Sequence, residues 1–465
     1  MNFFRKIISY ALGNGLSKLI AVVILPIYTN YLNPDEYGKA DLIYYTVSII
    51  VSFVFMECWT ALLRFMYDDY TEENRKKVLS NTLILTFMLI IPYIIIQYII
   101  SMIISTNYAW ISCVYGIFYM FLQIIQMYSR AIKKTRDFVL SGIINSIVQL
   151  LIAYIMIVKL QNGAITVIVA PTFGALSALV YLIITTACVK DIDFHTLDKK
   201  LLKKMYVFSI PLAFNSIAFW AMNNVNRYFA AYFIDYEASS YVSIASKLTM
   251  IITLAASVYS LAWQEDAFEK ANDKNKNEVY TKMFSVYIAV FSIATAFSIV
   301  FVKFLFPFII GEQYNNALSI LPPYFIAIYF SGISTFLGQI FGAEKKTTTL
   351  LSSTVLGTIV NVLIVSMTIN SIGIMSIPIG SLMGYLVCTI MRYINLHKII
   401  KINIAKKDIL YAIIMIVPSI AMYYIQKGLL SFIIFLIILI ILAIVFYRKI
   451  IVEIIVKIFG RSKKR

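Results

Sequence analysis

The sequence predicts an all-α polytopic membrane protein of about fourteen transmembrane helices. Three observations predict it. Of 465 residues, 61% are hydrophobic and only 14% are charged, with a mean hydropathy of +0.84; a soluble domain carries roughly a quarter charged residues, so a soluble enzyme and a disordered chain are both excluded. Apolar runs of about 18 or more residues, long enough to cross a hydrocarbon core of about 30 Å, follow one another along almost the whole chain. These runs do not alternate apolar and polar residues, which excludes a β-barrel.

Taken in order, run 7–31 is too long for a signal-peptide core and has no A-x-A site, so it reads as a retained first span. Runs 42–66, 78–104, 108–129, 138–158 and 164–188 follow. The polar loop 189–205, from Lys190-Asp-Ile-Asp to Lys203-Lys204, then divides the chain. Beyond it come 206–234, 241–263, 283–310, 318–342, 350–369 and 374–397, then 409–425 and 429–447. The expected organisation is an N-terminal lobe (1–190), a C-terminal lobe (191–400), and two additional spans with a basic tail (401–465). The segment Tyr31-Leu-Asn-Pro-Asp-Glu-Tyr-Gly38 is weakly echoed by Phe233-Ile-Asp-Tyr-Glu-Ala-Ser-Ser240, an offset near 202, as an internal repeat would give.

Net charge is +17. In a soluble chain this would suggest nucleic acid; here it records topology, because Lys and Arg accumulate in cytoplasmic loops. With a cytoplasmic N-terminus, 32 of the 40 Lys and Arg fall in inside segments and 3 (Lys39, Lys159 and Lys427) in outside loops. Both termini are therefore expected inside. Cys58, Cys113, Cys188 and Cys388 lie in apolar runs without metal or disulfide spacing and read as small buried hydrophobes. His195 and His397 are isolated loop residues, so no metal site is expected.

Motifs for nucleotide or hydrolytic chemistry are absent: there is no P-loop, G-x-S-x-G, H-E-x-x-H or C-x-x-C. Neither enzymatic activity nor a cofactor is expected. Gly13-Asn-Gly15 lacks the third glycine of a dinucleotide loop and lies inside a span; it, Gly338–Gly342 and Gly380–Gly384 read as close helix contacts. Pro26, Pro92, Pro171, Pro211, Pro322, Pro323, Pro378 and Pro418 interrupt spans, as bendable helices of an alternating-access carrier would.

Charges inside a bilayer usually face a cavity or a partner. Lys18, Arg64, Arg227, Lys247 and Lys303 lie within the expected spans, with Glu57 as the acid. Lys303 suits snorkelling to the interface. The others form a lopsided cationic set that an entering anion would balance. Asn14 lies one turn from Lys18; Asn223 and Asn224 lie about one turn before Arg227. Amides and the aromatics Trp59, Trp220 and Trp263 suit hydroxylated ring ligands. Glu57 is assigned as a counter-ion or a coupling acid.

Two stretches carry a resemblance. One is Leu12-Gly-Asn-Gly through Leu25-Pro-Ile-Tyr-Thr-Asn-Tyr-Leu-Asn-Pro-Asp-Glu-Tyr-Gly38. The other runs from Tyr206-Val-Phe-Ser-Ile-Pro-Leu212 through Asn226-Arg-Tyr228 and Tyr241-Val-Ser-Ile-Ala-Ser-Lys247 to Ala262-Trp-Gln264. The chain resembles Wzx-type polysaccharide flippases of the multidrug/oligosaccharidyl-lipid/polysaccharide exporter superfamily. Where that family has G-Y before the helix, this chain has Ser239-Ser240-Tyr241. The resemblance implies two six-helix lobes around a central cleft. It implies transfer of an undecaprenyl-pyrophosphate-linked oligosaccharide across the cytoplasmic (inner) membrane of a bacterium for O-antigen, lipopolysaccharide or capsule synthesis. Its implied partners are that lipid-linked sugar, the bilayer, a polysaccharide polymerase and glycosyltransferases, with no nucleic acid. Two carriers of the same fold stay open, a cation-coupled multidrug exporter and a lipid II flippase. The excess of bases over acids argues against the first. A membrane-embedded transferase or polymerase is disfavoured by the short outside loops.

Overall fold

The computed structural model describes residues 20, 22–67, 69, 71–250, 252–254, 256, 259, 263, 275–344, 347–402 and 405–459. Among them there is no strand. The helices are α1 (Leu25–Tyr31), α2 (Pro34–Val54), α3 (Cys58–Met66), α4 (Glu72–Ile104), α5 (Ala109–Ala131), α6 (Thr135–Tyr154), α7 (Thr166–Thr186), α8 (Lys199–Phe233) and α9 (Tyr236–Leu248). They continue with α10 (Lys276–Ile309), α11 (Ala317–Ala343), α12 (Thr347–Ile372), α13 (Ser376–His397), α14 (Lys406–Ile425) and α15 (Gly428–Phe459).

Ten described stretches are long and apolar enough to span a membrane, or eleven with the bent pair α2–α3. One of them, Thr349–His397, takes in both α12 and α13. Runs 7–31 and 241–263 fall partly outside the described residues, so the count of fourteen rests on the sequence. All four cysteines are free and buried.

Local chemistry sets the helix ends. Asn33 caps α2 by accepting from the Asp35 amide at 2.9 Å; Pro34 opens the helix, and Asp35 and Glu36 meet its positive end. Thr71 caps α4 the same way, followed by Glu72 and Glu73. Helices run on through Pro92, Pro171, Pro211, Pro307 and Pro418. The sharp bend lies elsewhere. Between α2 and α3 the axis turns by 52°. Met56 and Glu57 there adopt the left-handed region at φ 48° and 54°. A proline removes one backbone hydrogen bond, which a helix tolerates, whereas left-handed residues redirect the chain.

By contacts the described chain divides into two compact units, Leu19–Ser243 and Ile244–Arg465. The sequence seam at 190 is set by the polar loop 189–205; this division is by packing, and it groups α8 with the first unit, where α8 packs on α2 and α3.

In the first unit, α6 and α7 form a close hairpin in which Gly174 faces Asn145. A Cβ at Gly174 would lie 2.7 Å from the Asn145 carbonyl oxygen. In the second unit, α12 and α13 repeat the device. Gly384 faces Asn361 and would put a Cβ 2.7 Å from the Gly357 carbonyl, and Gly380 faces Asn361 and Val365. Gly380 against 361–365 and Gly384 against 357–361 make this pair antiparallel.

The second unit is held by two further clusters. Trp263 stacks on Phe336 at 5.0 Å, with Tyr259, Tyr280, Phe284 and Tyr287 around them. Ala289, Ala296 and Val300 of α10 leave room for Met415 of α14 and Phe432, Leu439 and Ala443 of α15. The two C-terminal helices are thus packed on α10 within this unit. An apolar cavity of about 430 Å³ lies among α10, α11, α13 and α14.

Candidate functional site

The chemistry of the first unit concentrates where α2, α8 and the start of α9 meet. Arg227 sits on α8 with its side chain 3% exposed, and Asp41 on α2 is 2% exposed, their charged groups 3.6 Å apart. The guanidinium donates to Asn224 Oδ1 at 2.6 Å and to Ser243 Oγ at 3.3 Å, and it lies over the Tyr45 ring at 3.9 Å. Ser243 Oγ in turn donates to Asp41. A charge this deep needs a carboxylate, hydrogen-bond acceptors or an aromatic face around it, and Arg227 has all three.

Neighbouring groups are polar and aromatic. Tyr228 OH and Thr46 Oγ1 lie 2.6 Å apart, Trp220 Nε1 donates to Ser48 Oγ at 3.1 Å, and the Trp220 and Tyr228 rings are 5.6 Å apart. Tyr44 stacks on Tyr115 at 5.4 Å. Asn223 and Asn224 donate back to the carbonyls of Phe219 and Trp220, which leaves the Asn224 carbonyl oxygen for Arg227.

The 202-residue offset reappears here in contacts. Asn33 caps α2 and Asp235, 202 positions on, caps α9 by accepting from the Ala238 amide at 2.6 Å. Ser243 and Asp41, which bond each other, are separated by 202. Gly38 would put a Cβ into the Tyr236 carbonyl and 3.4 Å from the amide of Ser240, again 202 positions on. Equivalent positions that touch each other mark a local two-fold relation between the starts of α2 and α9.

Glu57 lies at the break between α2 and α3, half-buried, and accepts from Thr60 Oγ1 at 3.1 Å. Arg64 is exposed in the last turn of α3. Lys247 is buried on α9 and falls in the second unit. Lys303 lies over the Tyr423 ring at 4.9 Å. Lys18 and Asn14 lie outside the described residues.

Asp41 and Arg392 are buried charges that the sequence does not single out. Asp41 sits where the apolar run begins, beside acidic turn residues, so nothing distinguished it from a loop acid. Arg392 lies near the end of run 374–397 and is buried on α13. It donates to Ser353 Oγ at 2.9 Å, the Ser334 carbonyl at 2.7 Å, Thr354 Oγ1 at 2.9 Å and the Leu350 carbonyl at 3.4 Å. Among the described residues no group of three or more His, Cys, Asp or Glu could hold a metal.

A family model described as "Polysaccharide biosynthesis protein" matches residues 3–263. The chain belongs to that family. No curated protein matches the sequence. Solved structures share the fold of this chain across large sequence distances. The lipid II flippase MurJ, in an inward closed conformation, is 15% identical with a TM-score of 0.73; the alignment covers 96% of this chain and 100% of MurJ. A multidrug resistance MATE family transporter of the MOP superfamily, inward-facing, is 14% identical with a TM-score of 0.67, covering 83% and 96%. An outward-facing conformation of such a transporter matches at 15% and 0.60, covering 86% and 95%. The chain is thus a multi-pass membrane protein whose fold is like those of MurJ and the MATE transporter.

Proposed function

We propose that this protein moves an undecaprenyl-pyrophosphate-linked oligosaccharide from the inner to the outer leaflet of the cytoplasmic membrane, for O-antigen or capsule synthesis. The observation that carries the reading is the imbalance of intramembrane charge in a polysaccharide biosynthesis family member. Lys18, Arg64, Arg227, Lys247 and Lys303 stand against Glu57 and Asp41. A diphosphate balances that excess, and its pull is strong where the dielectric is low. Both termini and the lysine-rich loops are cytoplasmic in this reading, and the partners are the lipid-linked sugar and the enzymes that make and polymerise it.

Lys18, Arg64, Arg227 and Lys247, with Asn14, Asn223 and Asn224, are the cargo-binding set. Arg227 takes part by exchange. Its carboxylate partner Asp41 offers two oxygens, whereas a diphosphate offers several and more charge, so the guanidinium can pass from one to the other. Glu57, half-buried at the α2–α3 break, is the coupling or counter-ion group.

The test is transport in proteoliposomes with a fluorescent undecaprenyl-pyrophosphate oligosaccharide, read by access of an impermeant glycosidase. The expected result is protein-dependent transfer competed by the same lipid. Transfer of lipid II alone would replace this reading with a lipid II flippase. Efflux of organic cations with no lipid transfer would replace it with a drug exporter.

A further inference from the structure

The linker before α8, cytoplasmic in the topology proposed above, is bolted in place, and it presents a basic surface that the transport reading does not use. Asp191 is gripped by Arg75, with Nε–Oδ2 2.6 Å and Nη2–Oδ1 3.0 Å, and accepts from the Tyr128 hydroxyl. The Asp193 amide donates to Ser80 Oγ at 2.8 Å. Asn81 makes two bonds, donating to the Thr196 carbonyl at 2.9 Å and accepting from the Asp198 amide at 2.9 Å. Lys77 pairs with Asp198 at 2.8 Å. That hydrogen bond, helped by the Leu201 amide, holds the Asp198 carboxyl down to about 2, so the tie is ionised at any physiological pH. The cytoplasmic end of α4 therefore fixes the linker at four points.

This fixed linker delivers four exposed lysines. Lys199, Lys200, Lys203 and Lys204 are spaced as two pairs one turn apart, so like charges stack on one side of α8. They also crowd the positive end of a 35-residue helix. The first-turn amides of Lys200 and Leu201 are already taken by Asp198 at 2.8 and 3.1 Å, so the pull on an anion comes from the side chains. Lys190 is exposed on the same linker. Within one turn after Lys204, Tyr206, Val207 and Phe208 are exposed and apolar, so the helix enters hydrocarbon there. From Lys199 to Tyr206 is about 10 Å at about 1.5 Å per residue. A headgroup layer is about 5–8 Å deep, so this stretch reaches from the hydrocarbon edge to its aqueous face. Leu197, exposed at 46%, adds an apolar contact beside the lysines.

We propose that Lys199, Lys200, Lys203 and Lys204, held rigid by the linker bonds to α4, form a docking surface for anionic phospholipid headgroups of the cytoplasmic leaflet. Like charges stacked at the wrong end of a helix dipole are stabilised by a layer of fixed anions. A phospholipid supplies that layer, with acyl chains lying along the exposed residues after 206. Because the linker is pinned, the backbone that carries the lysines needs no further ordering on binding.

The full chain in detergent is given phosphatidylglycerol or phosphatidylcholine of equal chain length, both free of polyprenyl lipid, and hydrogen exchange is followed over residues 188–206. Phosphatidylglycerol, and not phosphatidylcholine, should slow exchange there severalfold, and about 0.5 M salt should erase the effect. Changing all four lysines to Gln should weaken the apparent affinity for phosphatidylglycerol on the order of a thousandfold, at about 1 kcal/mol per lysine; changing them to Arg should preserve it. If the fourfold Gln variant does not fold, Lys199→Gln with Lys203→Gln should give a partial loss. Equal protection by phosphatidylcholine, or undiminished phosphatidylglycerol protection in the Gln variants, overturns the proposal. The readout involves no transport, so it stands or falls apart from the cargo assignment.

Discussion

Arg227 and Asp41 face each other at 3.6 Å with their side chains almost wholly buried, and Ser243 bonds both. The cation most readily picked out of α8 is therefore already neutralised in this conformation. It ties α8 to α2 and to the start of α9. Removing one member takes from the other, buried charge its opposite at 3.6 Å, at a cost of about 3–5 kcal/mol. Asp41→Asn and Arg227→Met should each lower the melting temperature. The pair Asp41→Leu with Arg227→Met should recover most of that loss, since apolar replacement of a buried ion pair is near neutral. If Arg227 carries cargo charge, the stable double variant transports nothing. Normal transfer of the lipid-linked sugar by the double variant would remove Arg227 from the cargo-binding set.

Glu57 combines a half-buried carboxylate with left-handed backbone, a conformation costing about 1–2 kcal/mol in a residue with a side chain. Glu57→Gly relieves the backbone and removes the charge; Glu57→Gln removes only the charge. The melting temperature should therefore be higher for the Gly variant than for the Gln variant. Both should show residual transport that no longer follows an imposed ion gradient. Reduced transport with intact gradient dependence in both variants would make Glu57 a counter-ion, and wild-type activity with unchanged gradient response would rule out both roles.

Gly174 and Gly384 occupy matching places in the α6–α7 and α12–α13 hairpins, each against an asparagine-bearing helix. A methyl group at either would lie 2.7 Å from a carbonyl oxygen, so backbone rather than a flexible side chain must give way. Gly174→Ala and Gly384→Ala should each destabilise by about 1–3 kcal/mol. A melting temperature unchanged in both would mean the hairpins separate at no cost.

What was legible in the sequence follows its physical signals. Uninterrupted apolar runs announce helices whatever their neighbours, so the all-helical membrane fold could be read directly. Arg227 and Glu57 stood out because a charge inside such a run is rare. The offset of 202 was faint as sequence and became plain only as contacts, Asn33 matching Asp235 in capping and Asp41 touching Ser243. Asp41 was hidden because the apolar run starts at residue 42, although α2 begins at Pro34. The bend at Met56–Glu57 carries neither glycine nor proline, so no local signal marks it. Beyond the bend, α3 packs on α4, α5 and α8, tertiary contacts that a local reading does not show.

Arg392 makes the sharpest stability case. It is 8% exposed on α13, close enough to α11 that Gly338 leaves only 3.1 Å between an added Cβ and Nη1. Its four hydrogen bonds run to hydroxyls and carbonyls of α11 and α12. Among the described residues no carboxylate forms an ion pair with it. The guanidinium fork thus ties three helices together while bearing an uncompensated desolvation cost. Arg392→Lys keeps the charge, which is more strongly hydrated on an ammonium, and loses the planar fork. Arg392→Gln loses the charge and keeps an amide that donates twice. The Gln variant should therefore be the milder of the two, with a loss of about 1–3 kcal/mol where hydroxyl and carbonyl partners go unmet. Thermal unfolding of the purified variants in one detergent decides it. Should Lys prove milder than Gln, the charge itself is stabilised, and the carbonyl ends of α11 and α13 would be its source.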